Sequence, residues 1–219
     1  MTLQLLLDSA EPEAWGRWLA SGLFHGVTTN PTLLRRAGQP CTLPHLEGLA
    51  REAFSLGARE LHLQTWGTDV TTATAHGLAL ARIDPSRVLV KVPVTLAGAE
   101  TARRLIAEGV SVTFTACYSV HQVLIAAALG ARYIAPYLGR IRDTGRNATA
   151  ALVAMQDCLD GIDASTRLLV ASLRAPEELA TLAAAGLDCF TLSPAIAEAL
   201  FAVPDTMAAA EEFERDSLP

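Results

Sequence analysis

An α/β fold, a single-domain (β/α)8 TIM barrel with an additional C-terminal helix, is what this sequence predicts, and three observations predict it. Eight short apolar runs recur along the 219 residues. Alanine- and leucine-rich segments with helical spacing separate them, the alternation expected of parallel strands joined by helices. Glycines stand at the returns: Gly57, Gly109, Gly130 and Gly186 each follow a helical pattern and precede a strand, where a left-handed C-cap is wanted.

In chain order the strands are expected at Leu3 to Asp8, Gly26 to Asn30, Glu60 to Thr65, Val88 to Val92, Val110 to Thr115, Arg132 to Tyr137, Arg167 to Ser172 and Asp188 to Leu192. Helical spacing shows at Ala99, Ala102, Arg103 and Ile106 after the fourth run, and at Val123, Leu124, Ala127 and Ala128 after the fifth. The rival architecture is an open doubly wound sheet, which announces itself with a glycine-rich turn after its first strand; here Asp8-Ser9-Ala10-Glu11-Pro12 fills that turn. Beyond the eighth unit, Pro204 to Phe213 reads as one more amphipathic helix, suited to packing on a neighbouring subunit. With half of the residues hydrophobic, the chain can bury one sizeable core, so residues 1–219 are read as one domain.

Composition narrows the function. A net charge of -6 without any lysine or arginine cluster argues against nucleic-acid and acidic-membrane partners. No apolar stretch reaches membrane-spanning length and Met1 is not followed by a basic start, so a cytoplasmic location is expected. Cys41, Cys117, Cys158 and Cys189 are scattered without a CxxC pair, and the histidines lack ligand spacing; neither metal nor cofactor is expected.

Lys91 is the chain's only lysine, and arginine supplies the other sixteen basic side chains. It lies inside Val88-Leu89-Val90-Lys91-Val92-Pro93-Val94. A lysine desolvated in such a setting has its pKa lowered and becomes a neutral amine, able to attack a carbonyl and form a Schiff base; arginine cannot. The plainer alternative is a packed stem with its head in water. Parity favours chemistry. In a barrel, alternate strand residues point inward, and those at the C-terminal ends form the floor of the site. Lys91 then shares its face with Leu89, Gln64 with His62, Asp8 with Leu6, Thr115 with Thr113 and Tyr137 with Ala135, while Thr28 and Asn30 come from the second strand and Ser172 ends the seventh. Singly, Asp8 could cap a helix, Thr28 and Asn30 could form a turn before Pro31, and Tyr137 could be a packed ring. Together they would be costly to bury unless they met one another or a ligand.

Leu7-Asp8, Gly26-Val27-Thr28-Thr29-Asn30-Pro31-Thr32, Val90-Lys91-Val92-Pro93-Val94-Thr95 and Ala135-Pro136-Tyr137-Leu138-Gly139-Arg140-Ile141 resemble the transaldolase family, and most closely its fructose-6-phosphate aldolase-like subgroup. The resemblance spans essentially the whole chain. It implies a class I aldolase with Lys91 as the Schiff-base residue and no metal. It further implies that Asp8 and Asn30 contact the ketose hydroxyls with support from Thr28, and that Gln64, Thr115 and Tyr137 hold a water beside the imine. Arg140 and Ser172, helped by Arg174, would take the substrate phosphate. A sugar or sugar phosphate as substrate and a ring-like homo-oligomer, pentamer or decamer, are implied as well.

Within that family, transaldolases typically carry Glu and Phe where this chain has Gln64 and Tyr137, so both positions favour the aldolase. His62, the segment Gln64-Thr65-Trp66-Gly67, Leu138-Gly139 and Arg142-Asp143 depart from the typical pattern. A transaldolase passing a dihydroxyacetone unit between sugar phosphates is the first alternative, and a non-catalytic sugar-phosphate-binding barrel the second.

Overall fold

The computed structural model describes residues 3–218. The strands are β1 Gln4–Asp8, β2 Gly26–Thr28, β3 Glu60–Gln64, β4 Val88–Pro93, β5 Val112–Cys117, β6 Tyr133–Pro136, β7 Arg167–Leu168 and β8 Cys189–Leu192. The helices α1 to α11 run, in order, Pro12–Leu19, Pro31–Arg36, Leu43–Ser55, Val70–Ala81, Leu96–Ala107, Gln122–Leu129, Leu138–Asp143, Ala148–Gly161, Glu177–Ala184, Pro194–Ala199 and Pro204–Ser217. All strands pair in parallel in the order β7-β6-β5-β4-β3-β2-β1-β8. A bridge between Val170 and Phe190 closes the ring, with Val170 N–H donating to Cys189 O at 2.9 Å and Thr191 N–H to Val170 O at 2.8 Å. The expected (β/α)8 barrel is therefore the fold.

Strand parity sorts the apolar side chains into two cores. Leu6, Leu89, Tyr133, Ala135, Leu169 and Cys189 fill the barrel, whereas Val88, Val90 and Val92 of β4 face the helix layer. Because the side-chain period is two, this register is what puts Lys91 inside. The four expected glycine C-caps all have φ between +71° and +99°.

Four elements differ from expectation. The regular part of β7 stops at Leu168, although its continuation still bonds to β6 through Leu169 N–H to Ile134 O (2.8 Å) and Ala171 N–H to Pro136 O (2.9 Å). Helix α5 buries Gly98, Thr101, Ala102 and Leu105, leaving Arg103 in solvent, because Gly98 sits so close to β4 that a Cβ there would lie 1.9 Å from Pro93 O. Helix α6 buries Val123 and Ala126 and exposes Leu124. The terminal helix α11 extends four residues past the expected Phe213 and buries no side chain.

Candidate active site

A cavity of about 220 Å³ opens at the C-terminal ends of the strands, where barrels carry their sites. Lys91 rises into it from β4 and is 5% exposed. Burial lowers its pKa from the usual lysine value, and the charge of Asp8 opposes part of that fall.

Asp8 ends β1 and accepts a hydrogen bond of 2.7 Å from Thr28 Oγ1. Thr28 Oγ1 also lies 2.6 Å from Thr191 Oγ1. Since the Thr28 proton goes to the carboxylate, Thr191 donates to Thr28, and a directed chain from β8 through β2 orients Asp8. Asn30 caps α2: its Oδ1 accepts from Thr32 N–H (2.9 Å) and Leu33 N–H (3.0 Å). The capping oxygen is thereby spent, leaving the side-chain amide N–H groups as the donors Asn30 can offer the cavity.

On the opposite wall, Tyr137 Oη and Thr115 Oγ1 are 2.7 Å apart. Thr115 keeps its inward aim although β5 carries a bulge just after it, where Ala116 has φ +58°. Burial pushes the Tyr137 phenol above its ordinary pKa, so it is a proton-bearing group at neutral pH. The Arg140 guanidinium lies 4.8 Å over the Tyr137 ring and donates to Tyr118 Oη at 3.3 Å. Ser172 reaches the same wall at φ +62°, a left-handed conformation uncommon for a serine. It does not cap the next helix, whose N-cap is Pro176. Gly139 makes the seam between them, with Leu138 N–H on Ala171 O (3.0 Å) and Gly139 N–H on Ser172 O (2.9 Å).

Asp8, Thr28, Asn30, Lys91, Tyr137, Arg140 and Ser172 thus line one cavity. Thr115 stands behind Tyr137. Gln64 is the register partner of Lys91 on β3 but lines the neighbouring cleft with Trp66 and Thr95. Arg174 is turned away: its guanidinium pairs with Asp143, with one bond at 2.7 Å, and is exposed. Sequence reasoning missed Thr191, Ser193, Thr32 and Arg36 on the cavity wall and Tyr118 beside Arg140. Thr191 had a signal, its inward parity on β8; the placement of Arg36 on the cavity wall depends on how α2 leaves β2, which no local pattern reveals. Among the described residues, no group of three or more His, Cys, Asp or Glu side chains is placed to hold a metal ion, and no helix is long and apolar enough to cross a membrane.

Solved structures share the barrel: a thiamine phosphate pyrophosphorylase from Pyrococcus furiosus superposes with a TM-score of 0.61 at 12% identity, covering 90% of this chain and 91% of that one. A structure described as native KDPGal gives 0.59 at 18% identity over 88% and 82% of the two chains. At such identities the likeness is one of fold alone. Sequence goes further. The family model "Transaldolase/Fructose-6-phosphate aldolase" matches residues 5–217, and the chain belongs to that family. Curated relatives named "Probable transaldolase" include one from Phenylobacterium zucineum (strain HLK1), 36% identical over 98% of this chain and 96% of its own length. Another, from Leptospira biflexa serovar Patoc, is 30% identical over 98% of both.

Proposed function

We propose that the protein is a class I aldolase of the fructose-6-phosphate aldolase type, cleaving a ketose phosphate reversibly to dihydroxyacetone and an aldehyde such as glyceraldehyde 3-phosphate. The observation that carries this reading is the single lysine, buried on the inward face of β4 in a cavity shared with Asp8 and with Tyr137, whose hydroxyl is bonded to Thr115. Lys91 Nζ attacks the C2 ketone and loss of water gives the protonated imine. Asp8 takes the proton of the C4 hydroxyl as the C3–C4 bond breaks, and the bonding electrons pass into the imine to leave an enamine. The aldehyde departs, Tyr137 returns a proton to C3 through a water shared with Thr115 and reached by Gln64 from its place on β3 beside Lys91, and hydrolysis of the imine frees dihydroxyacetone. Asn30 holds a hydroxyl while Thr28 supports Asp8 from the second strand; Arg140 and Ser172 hold the phosphate, where the guanidinium fork suits its oxygens.

Gln64 and Tyr137 support release over transfer, since an amide cannot titrate and the phenol supplies the proton that ends the enamine. The name of the relatives supports the other reading, a transaldolase handing the three-carbon unit to a second aldose. A cytoplasmic enzyme and a homo-oligomer fit this reading: α11 leaves Met207 and Phe213 exposed at 55% and 71%, as a helix that meets another copy would. The deciding experiment is borohydride reduction in the presence of dihydroxyacetone, read by intact mass, together with a comparison of dihydroxyacetone release against transfer to erythrose 4-phosphate. One adduct on the parent and none on Lys91→Arg is expected, with release dominant. An adduct only at the N-terminal amine would overturn the mechanism; dominant transfer would make the protein a transaldolase.

A further inference from the structure

Below the cavity the barrel is polar where branched aliphatics usually fill such a layer. His62 on β3 is wholly buried, and its Nδ1 lies 3.0 Å from Thr113 Oγ1 on β5. This bridge spans β4, the strand of Lys91, and Thr113 is the register partner of Lys91 on the other side. The second ring nitrogen, Nε2, lies 3.3 Å from Glu60 Oε2, which also accepts from Tyr133 Oη at 3.2 Å, while Arg132 pairs with Glu60 Oε1. Burial alone would raise the Glu60 carboxyl, but the His62 hydrogen bond and the Arg132 guanidinium outweigh it and hold the pKa below the ordinary carboxylate range.

The proton positions follow from these partners. An ionised carboxylate only accepts, so His62 Nε2 carries the hydrogen. Burial lowers the His62 pKa, so the ring is neutral and Nδ1 is bare. Thr113 must then donate downward to Nδ1, and its oxygen lone pairs are what remain for the level of Lys91. The chain Thr113 to His62 to Glu60 is polarised in one direction. An apolar residue at position 62 would fill the same volume without the cost of burying an imidazole.

We propose that His62 is a positioning residue for the imine chemistry: by fixing the Thr113 hydroxyl as an acceptor toward Lys91, it stabilises the ammonium and iminium forms inside a barrel that otherwise desolvates them. The inference rests on the reading of Lys91 as the Schiff-base residue. The groups that bear on His62 are Glu60 from its own strand, Lys91 from β4 and Arg132 and Tyr133 at β6; His25 lies 3.5 Å from Glu60. Lys91 is faced in addition by Asp8 and shares its cavity with Tyr137.

The test measures cyanoborohydride trapping of dihydroxyacetone against pH, alongside single-turnover cleavage of fructose 6-phosphate, in Thr113→Val, His62→Phe and His62→Gln. In Thr113→Val and His62→Phe the midpoint for the Lys91 amine should fall by about one pH unit, and cleavage from the formed imine should slow about tenfold. His62→Gln offers an N–H to Glu60 and a carbonyl oxygen to Thr113, and should restore both. Should His62→Phe fail to fold, Thr113→Val, which exchanges a hydroxyl for a methyl, decides alone. Folded variants that trap and cleave with the parent's midpoint and rate would overturn the inference and leave the bridge as core filling. A parent that forms no adduct would overturn the imine reading itself, and this inference with it.

Discussion

Gly139 offers a test of the phosphate wall that removes no ionisable group. A Cβ placed there would lie 2.6 Å from Ser172 O, 2.7 Å from Arg174 Nε and 3.1 Å from Ser172 Oγ. The arginine can swing aside. The carbonyl cannot, because it accepts Gly139 N–H at 2.9 Å and belongs to a backbone held at φ +62°. An ordinary contact is about 3.5 Å, so Gly139→Ala must push α7 and the end of β7 apart by roughly 0.9 Å. Overpacking of this kind costs about 1 to 3 kcal/mol, and at roughly 2 to 4 °C per kcal/mol the melting temperature should fall by several degrees. The next residue is Arg140, so the same shift separates the guanidinium from the Ser172 hydroxyl. A displacement near 1 Å in a positioned contact costs on the order of 10²-fold. We therefore expect kcat/KM for fructose 6-phosphate to drop by about 10- to 100-fold, while dihydroxyacetone trapping on Lys91 stays near that of the parent. An equal loss in both assays would mean that the substitution damages the barrel as a whole. Full activity on fructose 6-phosphate would refute the assignment of this seam to the phosphate.

Arg140→Ala should raise KM for fructose 6-phosphate far more than for the unphosphorylated acceptor glyceraldehyde, by about 1.5 to 3 kcal/mol for a lost charge-assisted contact; equal changes would make Arg140 structural. Gln64→Glu should raise transfer of the three-carbon unit relative to its release and add an acid-range titration to the rate profile, checked by product analysis across pH. Lys91→Met should abolish activity yet stabilise the fold by about 1 kcal/mol at neutral pH, measured by denaturant melts. The sign follows from burial, which depresses the folded-state pKa below the ordinary lysine value of 10.5. The parent carries the full penalty below the folded value and loses it as pH rises toward 10.5, so the variant's advantage should fade over that interval.

Much of this architecture was legible because period-two parity and helix punctuation are local. The strand runs, the glycine caps and the inward aim of Lys91 all follow from neighbours in sequence. What escaped depends on distant approach. The buried face of α5 is set by Gly98 meeting Pro93 O, not by its apolar count. The Glu60–Arg132 pair joins residues 72 apart, at the lower ends of two strands, where neither looks unusual alone. Arg174 matched a phosphate helper by type and position, yet Asp143 is within reach across the Gly139 gap and takes its guanidinium.

Several polar residues were ambiguous in the sequence because capping and ligand binding draw on the same chemistry, and at Asn30 the observed cap leaves room for both. Its oxygen satisfies two helix N–H groups, which fixes the side-chain torsion at the cavity wall and leaves the amide donors uncommitted to the cap. Tyr137 is held in the same economical way. Its hydroxyl meets Thr115, its ring edge meets Tyr118 at 5.6 Å between centroids and its face carries Arg140. The group assigned to protonation and the group assigned to phosphate are therefore in contact. A phosphate that drew Arg140 off the ring would remove a positive charge that lowers the phenol's pKa, leaving burial and the Asp8 charge to keep Tyr137 protonated while the enamine exists. Substrate phosphate would thus favour a retained proton, so the partition between release and transfer should differ between phosphorylated and unphosphorylated acceptors in the parent and converge in Arg140→Ala, where that coupling is gone.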